Sequence, residues 1–341
     1  MKIYRFRQIM ALVAMLAAAG CSKDGHSVAD TGTQVFPLEI SAPVAGKVRT
    51  MTTANETAVS SLQVFVFREN GVLEAYGKSD GSKVTAECTS GMKTIVALAN
   101  APDITDISDK ASLDMKVSRL EDNRDAFVMY GSYSAEITSA SGTVTVPVTR
   151  LVARISIQKI TNRLSLPQYS NSSVQIKKIY LINVAGDMIY GDTGEYGHDK
   201  SVKSGYVPSV WLNKGKCDGD GDMPALLSSG ELKSASAAHG SSYTASHYFY
   251  CYPNPASSDA SVPDGKSGYT RLVVEVSVEG RVFYYPVSIP GIENNHTYNI
   301  SELVITKLGS EDPNVPVSYD SASFSITVNP WESGSDSSVT I

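Results

Sequence analysis

Apolar residues recur at every second position through much of this chain. The densest case is residues 143–160, TVTVPVTRLVARISIQKI, where two alternating runs meet without a helical interlude. Val144, Val146 and Val148 alternate with Thr143, Thr145 and Pro147. Leu151, Ala153, Ile155 and Ile157 then alternate with Val152, Arg154, Ser156 and Gln158. Strands with one buried face produce this pattern. Pro147 has no N–H for a ladder, so no central strand is expected to run through it. The stretch predicts the last strand of one β-domain handing the chain to the first strand of another.

Upstream, Phe36, Leu38 and Ile40 alternate with Pro37, Glu39 and Ser41, predicting a strand over 35–41 that Pro37 confines to an edge. A polar connector carrying Lys47 and Arg49 follows, so the strand and its connector form a segment that can be cut away. Residues 62–67 read as an apolar strand buried on both sides. Asn70-Gly71 is a strong hairpin signal, returning the chain over 72–76. Further strands are expected at 94–99 and 126–129, and Leu113, Val117 and Leu120 at helical spacing predict one short helix over 111–120. In the second half, strands are expected within 174–184 and at 248–252, 272–278, 282–287 and 298–306, with Glu279-Gly280 closing a hairpin. Residues 185–200 read as loop, and the Gly- and Ser-rich residues 200–246 as excursions. Phe324, Ile326 and Val328 form a last alternating run before Pro330-Trp331 and a polar tail that ends with Val339 and Ile341. No tandem repeat of solenoid or propeller length is present.

Length sharpens this picture. A chain of 341 residues predicts about two units of ordinary domain size. The net charge of −6, with no basic stripe, argues against a nucleic-acid partner. Residues 1–20 read as an export signal: Lys2, Arg5 and Arg7 precede a short apolar run that ends LAAAGC, and such a run is too short to span a bilayer. That ending resembles a bacterial lipoprotein box, with Cys21 as the lipidated residue and Ala18 where the family prefers Leu. With Cys21 so used, Cys88, Cys217 and Cys251 remain. A Cys217–Cys251 bridge would close the loop-rich region and stabilise by about 3–4 kcal/mol in the chain-entropy picture, while buried free thiols are the alternative.

Catalytic patterns are sparse. Gly77-Lys78-Ser79-Asp80-Gly81 has the letters of a nucleophile elbow but lacks the following helix. His26, His198, His239, His247 and His296 are scattered, and the acidic run Asp218, Asp220, Asp222 lacks the glutamate of a calcium loop, having Ser229 in its place. No catalytic residue, cofactor or metal site is expected. Trp211, Tyr243, Tyr248, Tyr250 and Tyr252 offer a possible sugar-stacking patch.

The ordered set formed by the lipobox, SLQVFVFRENG (61–71), KTIVALAN (93–100), RLVARISIQKI (150–160), NNHTYNISELVITKLGSEDPNVPV (294–317) and ITVNPW (326–331) resembles the fimbrillins, the FimA/Mfa-like pilus subunits of Bacteroidia. Residues 200–264 carry little of the likeness. The resemblance implies an all-β fold of two tandem transthyretin-like Greek-key β-sandwiches with a short helical insert, over 21–149 and 150–341. It implies a non-enzymatic subunit, exported as a lipoprotein to the outer membrane and built with other subunits into an adhesive surface fimbrium. It further implies that a trypsin-like protease cuts after Arg49 and removes Phe36, Leu38 and Ile40. The C-terminal segment of the next subunit then fills the groove, with Phe324, Ile326, Val328, Trp331, Val339 and Ile341 as donor candidates. The competing reading is a monomeric surface lipoprotein that binds glycan or a host ligand.

Overall fold

The computed structural model describes residues 34–45, 56–191, 206–214, 225–254, 256, 258, 268–315, 322–331 and 339–340. Where the sequence alternates, the backbone is extended, and the fold is all-β. The first strands are β1 (Phe36–Ser41), β2 (Leu62–Arg68), β3 (Leu73–Ser79), β4 (Lys83–Cys88) and β5 (Gly91–Ala99). After a short helix α1 (Lys110–Asp114) come β6 (Val117–Arg119), β7 (Met129–Ile137), β8 (Thr143–Thr145) and β9 (Thr149–Arg150). The second half supplies β10 (Ala153–Asn162), β11 (Val174–Ile182), β12 (Val184–Ala185), β13 (Asp187–Ile189), β14 (Trp211–Leu212) and β15 (Ser236–Ala237). It continues with β16 (Ser242–Cys251), β17 (Thr270–Val278), β18 (Arg281–Ile289), β19 (His296–Ile305), β20 (Ala322–Pro330) and β21 (Val339–Thr340).

These strands assemble into four main sheets, in the orders β3-β2-β5-β7-β9, β4-β1-β8, β16-β10-β19-β20-β21 and β15-β11-β17-β18. Their inward faces share an apolar core that runs from Phe36 in β1 to Ile326 in β20. Residues 143–160 contribute strands to three sheets in succession. β8 lies beside β1, β9 beside β7, and β10 enters another sheet between β16 and β19. Pro147 falls in the break between β8 and β9, and Leu151, Val152 and Ala153 are buried where the chain changes sheets.

Two hairpins formed as read. Asn70-Gly71 joins β2 to β3 with Gly71 at φ 83°, and Glu279-Gly280 joins β17 to β18 with φ 49° and 80°. Two positive φ values in succession suit the twist of a tight two-residue hairpin.

Other expectations are corrected. The helix stops at Asp114, because Val117 turns outward and β6 pairs with β13, Asp187–Ile189, in the region expected to be loop. Tertiary pairing there overrides a three-residue helical pattern. The expected strand at 126–129 is shifted: it begins at Met129 and runs to Ile137. The strand expected at 248–252 starts six residues earlier, at Ser242. Gln63, inside the run expected to be apolar, is buried and satisfied: its Nε2 donates to the carbonyls of Ala101 and Pro102 while its Oε1 accepts from Ile104 N–H.

Candidate functional site

β1 owes its form to strict alternation. Leu38 and Ile40 are fully buried and Phe36 nearly so, while Pro37 is exposed and Glu39 and Ser41 are half-buried. Along one edge it pairs antiparallel with β4, placing Phe36, Leu38 and Ile40 opposite Cys88, Ala86 and Val84. All six side chains face the core. Along its other edge it pairs parallel with β8, with Ile40 beside Val144. This contact runs on past β8, since Val146 N–H donates to Ser41 O at 2.8 Å and Val148 N–H to Pro43 O at 3.0 Å.

The edge assignment made from Pro37 is therefore only half right. Pro37 lies where β1 has a single neighbour, β4, and the second neighbour begins at Glu39. β1 is the middle strand of its sheet, and β4 and β8 do not pair with each other. Its removal would leave two strand edges and three apolar positions facing a vacant slot. Each such side chain stabilises by about 1.5–3 kcal/mol on full burial, and each ladder bond by about 0.5–1.5 kcal/mol net.

Glu39 ties β1 to both neighbours from its exposed face. Its Oε1 accepts from Thr143 Oγ1 at 2.8 Å and from Lys83 Nζ at 3.2 Å. The hydroxyl hydrogen bond and then the ammonium hold the carboxyl below the ordinary glutamate range. Cys88, under Phe36, is a buried free thiol, pushed up by burial and then by the Glu74 carboxylate.

At the other end of the chain, β20 is a strand of the chain's own sheet. It pairs with β19 from Ala322↔Ile305 to Pro330↔His296, and Ile326 is buried while Phe324 and Val328 are half-buried. On its outer edge Val328 and Thr327 meet Val339 and Thr340 of β21. Phe324, Ile326 and Val328 thus already serve the fold that carries them.

Trp331 directly follows β20, in a cluster the sequence reading missed apart from the indole itself. The guanidinium carbons of Arg150 and Arg154 stand 4.6 and 4.8 Å from its ring centre. Tyr250 stacks on it at 5.9 Å, Phe127 meets it edge-on at 5.8 Å, and Trp331 N–H donates to Asn295 O at 2.8 Å. Glu56 closes the cluster. Its carboxylate accepts from Arg154 Nη1 at 3.0 and 3.3 Å and from Tyr250 Oη at 2.6 Å, while its carbonyl accepts from Arg150 Nε at 2.7 Å. The available signal was a pair of arginines set in an apolar run, where a buried cation demands an anion.

Cys21, Arg49, Cys217 and Ile341 lie outside the described residues, as does the acidic run 218–222, and Val339 is described only as part of β21. Cys251 is a free, fully buried thiol. Tyr250 and Tyr252 are buried, so the five aromatic residues proposed as a sugar patch do not form an open platform. Ser79 closes β3 and leads into β4 without a helix, which removes the nucleophile elbow. Among the described residues there is no cluster of potential metal ligands, and no helix is long and apolar enough to cross a membrane.

Comparisons with known proteins bear on part of the sequence and on the fold. Residues 39–174 match the family model of the major fimbrial subunit protein FimA, a span that begins inside β1 and ends at the start of β11. Over that span the chain is similar to the FimA fimbrial subunits. Solved structures agree on the fold. A fimbrilin (FimA) from Porphyromonas gingivalis W83 superposes with a TM-score of 0.58 at 17% identity, covering 86% of this chain and 98% of that one. A proposed cell adhesion protein from Parabacteroides distasonis ATCC 8503 gives 0.60 at 18% identity, over 87% and 100% of the two chains. Another from Bacteroides eggerthii DSM 20697 gives 0.59 at 16%, over 86% and 95%. No curated protein matches the chain significantly.

Proposed function

We propose that this chain is a structural subunit of a surface fimbrium that polymerises by strand exchange through the slot held by β1. The observation that carries the reading is the position of β1. It is the middle strand of its sheet, presents three core side chains, and joins β2 through the connector 46–55. A cut after Arg49 leaves β1 held by non-covalent contacts alone. An incoming strand with apolar residues at every second position restores the ladder and the core together, which is β-augmentation. A head-to-tail contact of this kind does not close on itself and yields a filament.

In this reading Cys21 anchors the unprocessed chain to the outer membrane through lipid, and a trypsin-like protease releases it. Residues 21–149 and 150–341 are the two domains, with the boundary falling within β9. Because Phe324, Ile326 and Val328 are engaged in β20, the donor is the segment beyond Trp331, with Val339 and Ile341 as its apolar teeth. The experiment is trypsin treatment of the purified full chain. Mature protein beginning at Thr50 should form species of high mass, and Arg49→Ala should stay intact and monomeric. Assembly of the uncut Arg49→Ala chain would overturn the reading.

A further inference from the structure

Glu56 and Trp331 are each the described residue next to a chain segment that the proposed assembly uses. Glu56 follows the connector 46–55, and Trp331 precedes residues 332–338. They lie 275 positions apart in sequence and meet in one buried cluster. The Glu56 carboxylate fixes two of the groups enclosing the indole, the Arg154 guanidinium at 3.0 Å and the Tyr250 hydroxyl at 2.6 Å. Its backbone carbonyl fixes a third, Arg150, at 2.7 Å. Arg150 is additionally held by Asn295 Oδ1 at 3.1 Å, and Asn295 O receives Trp331 N–H. Glu56 is 5% exposed, so these donors rather than water satisfy its oxygens. Cation–π contacts gain strength in such desolvated surroundings.

We infer that Glu56 is a positioning residue for Trp331, coupling the connector that follows β1 to the root of the C-terminal segment. With Glu56 seated, Arg154 and Tyr250 close on the indole and hold the end of β20 against β19. With Glu56 displaced, Arg154 becomes a half-buried cation without its anion and turns toward solvent. Trp331 then loses a guanidinium face and its stacking partner, and the last residues of β20 are freed to lead the C-terminal segment elsewhere. This inference rests on the proposed function for its purpose, since cutting the connector is what would displace Glu56. The coupling itself is a property of the uncut monomer and is measured there.

The test uses the full-length monomer carrying Trp211→Phe, which leaves Trp331 as the sole indole, because the chain has 2 tryptophans. Glu56→Gln keeps a hydrogen-bond partner for Tyr250 but removes the charge that holds Arg154. The expected result is amide exchange at Trp331 and the end of β20 faster by about tenfold, a signature of local opening. Indole emission should move to the red, and protection of the β2–β5 ladder should not change. Glu56→Asp should recover part of the effect, and Arg154→Lys should reproduce it. Unchanged exchange at Trp331, or equal acceleration throughout the molecule, would overturn the coupling. If Glu56→Gln does not fold, Arg154→Lys carries the same two outcomes. A monomer that shows the coupling yet never polymerises would sink the proposed function and leave this inference standing.

Discussion

Phe36 stands opposite Cys88 in the β1–β4 ladder, and both side chains are buried. The thiol therefore reports on the presence of β1. In the full-length chain Cys88 should resist alkylation. After removal of β1 it should react rapidly, as read by mass spectrometry of the peptide that contains it. Phe36→Ala should raise the labelling rate in the uncut chain and cost about 2–3 kcal/mol in a denaturant titration. That is below the ~3–5 kcal/mol of an enclosed phenylalanine, because Phe36 begins its strand. A thiol equally inert with and without β1 would mean that another group covers the slot.

Glu39 gives β1 a pH dependence of defined sign. Its carboxyl is held low in the folded chain, by the Thr143 hydroxyl first and Lys83 second. The stabilisation is therefore present above the ordinary glutamate range and is lost as pH falls through the depressed folded value. Wild type should exceed Glu39→Gln in denaturant midpoint at neutral pH, and the two should converge in acid. A gap that persists or widens in acid would assign the difference to packing instead.

Gly131 in β7 passes so close to the strand break that a Cβ there would lie 2.2 Å from Pro147 O. Backbone cannot yield as a side-chain tip can. Gly131→Ala should force β7 and the 146–148 segment apart, destabilising the fold by about 1–3 kcal/mol as overpacking does. It should also weaken the seat of β1, whose partner that segment is. Thermal unfolding together with Cys88 labelling checks both, and a neutral effect on both would contradict the close approach.

The strand content was legible because each buried strand carries its own period-two signature. β1, the β2–β3 hairpin and the β17–β18 hairpin all follow from local residues. What was not legible depends on partners distant in sequence. Pro37 correctly marks a place with one neighbour, but nothing in residues 35–41 reveals that Val144 lies beside Ile40, so the strand reads as an edge. Val117 fits a helical spacing until β13 offers it a ladder. The cluster around Trp331 unites Glu56, Phe127, Arg150, Arg154, Tyr250 and Asn295 from six places in the chain, and only their meeting gives any of them a role.

That cluster predicts a stability penalty of its own. Glu56→Ala strips Arg154 of its anion and Tyr250 of its acceptor, and should cost about 3 kcal/mol, at the low end of the ~3–5 kcal/mol range for breaking a buried pair. The double variant Glu56→Ala/Arg154→Met should recover part of this, because no unpaired charge then remains. A double variant no better than the single one in chemical denaturation would show that hydrogen bonding to Tyr250, not the charge pair, dominates.

Removing the residues after Trp331 separates folding from assembly. Among the described residues the sheet would lose only β21, a two-residue ladder on its outer edge. A chain ending at Trp331 should unfold with nearly the wild-type midpoint yet form no fibres after processing. Normal fibres from it would transfer the donor role to another edge.

The central claim is that the slot emptied by β1 receives the C-terminal strand of another copy. Disulfide trapping tests it most directly. Chains with native Cys88 and either Val339→Cys or Ile341→Cys are cut after Arg49, assembled, oxidised and digested. The account predicts an intermolecular peptide joining position 88 to position 339 or 341, formed from the cut chains and absent from uncut chains treated alike. Fibres that yield neither linked peptide, or uncut monomers that yield them equally, would contradict it.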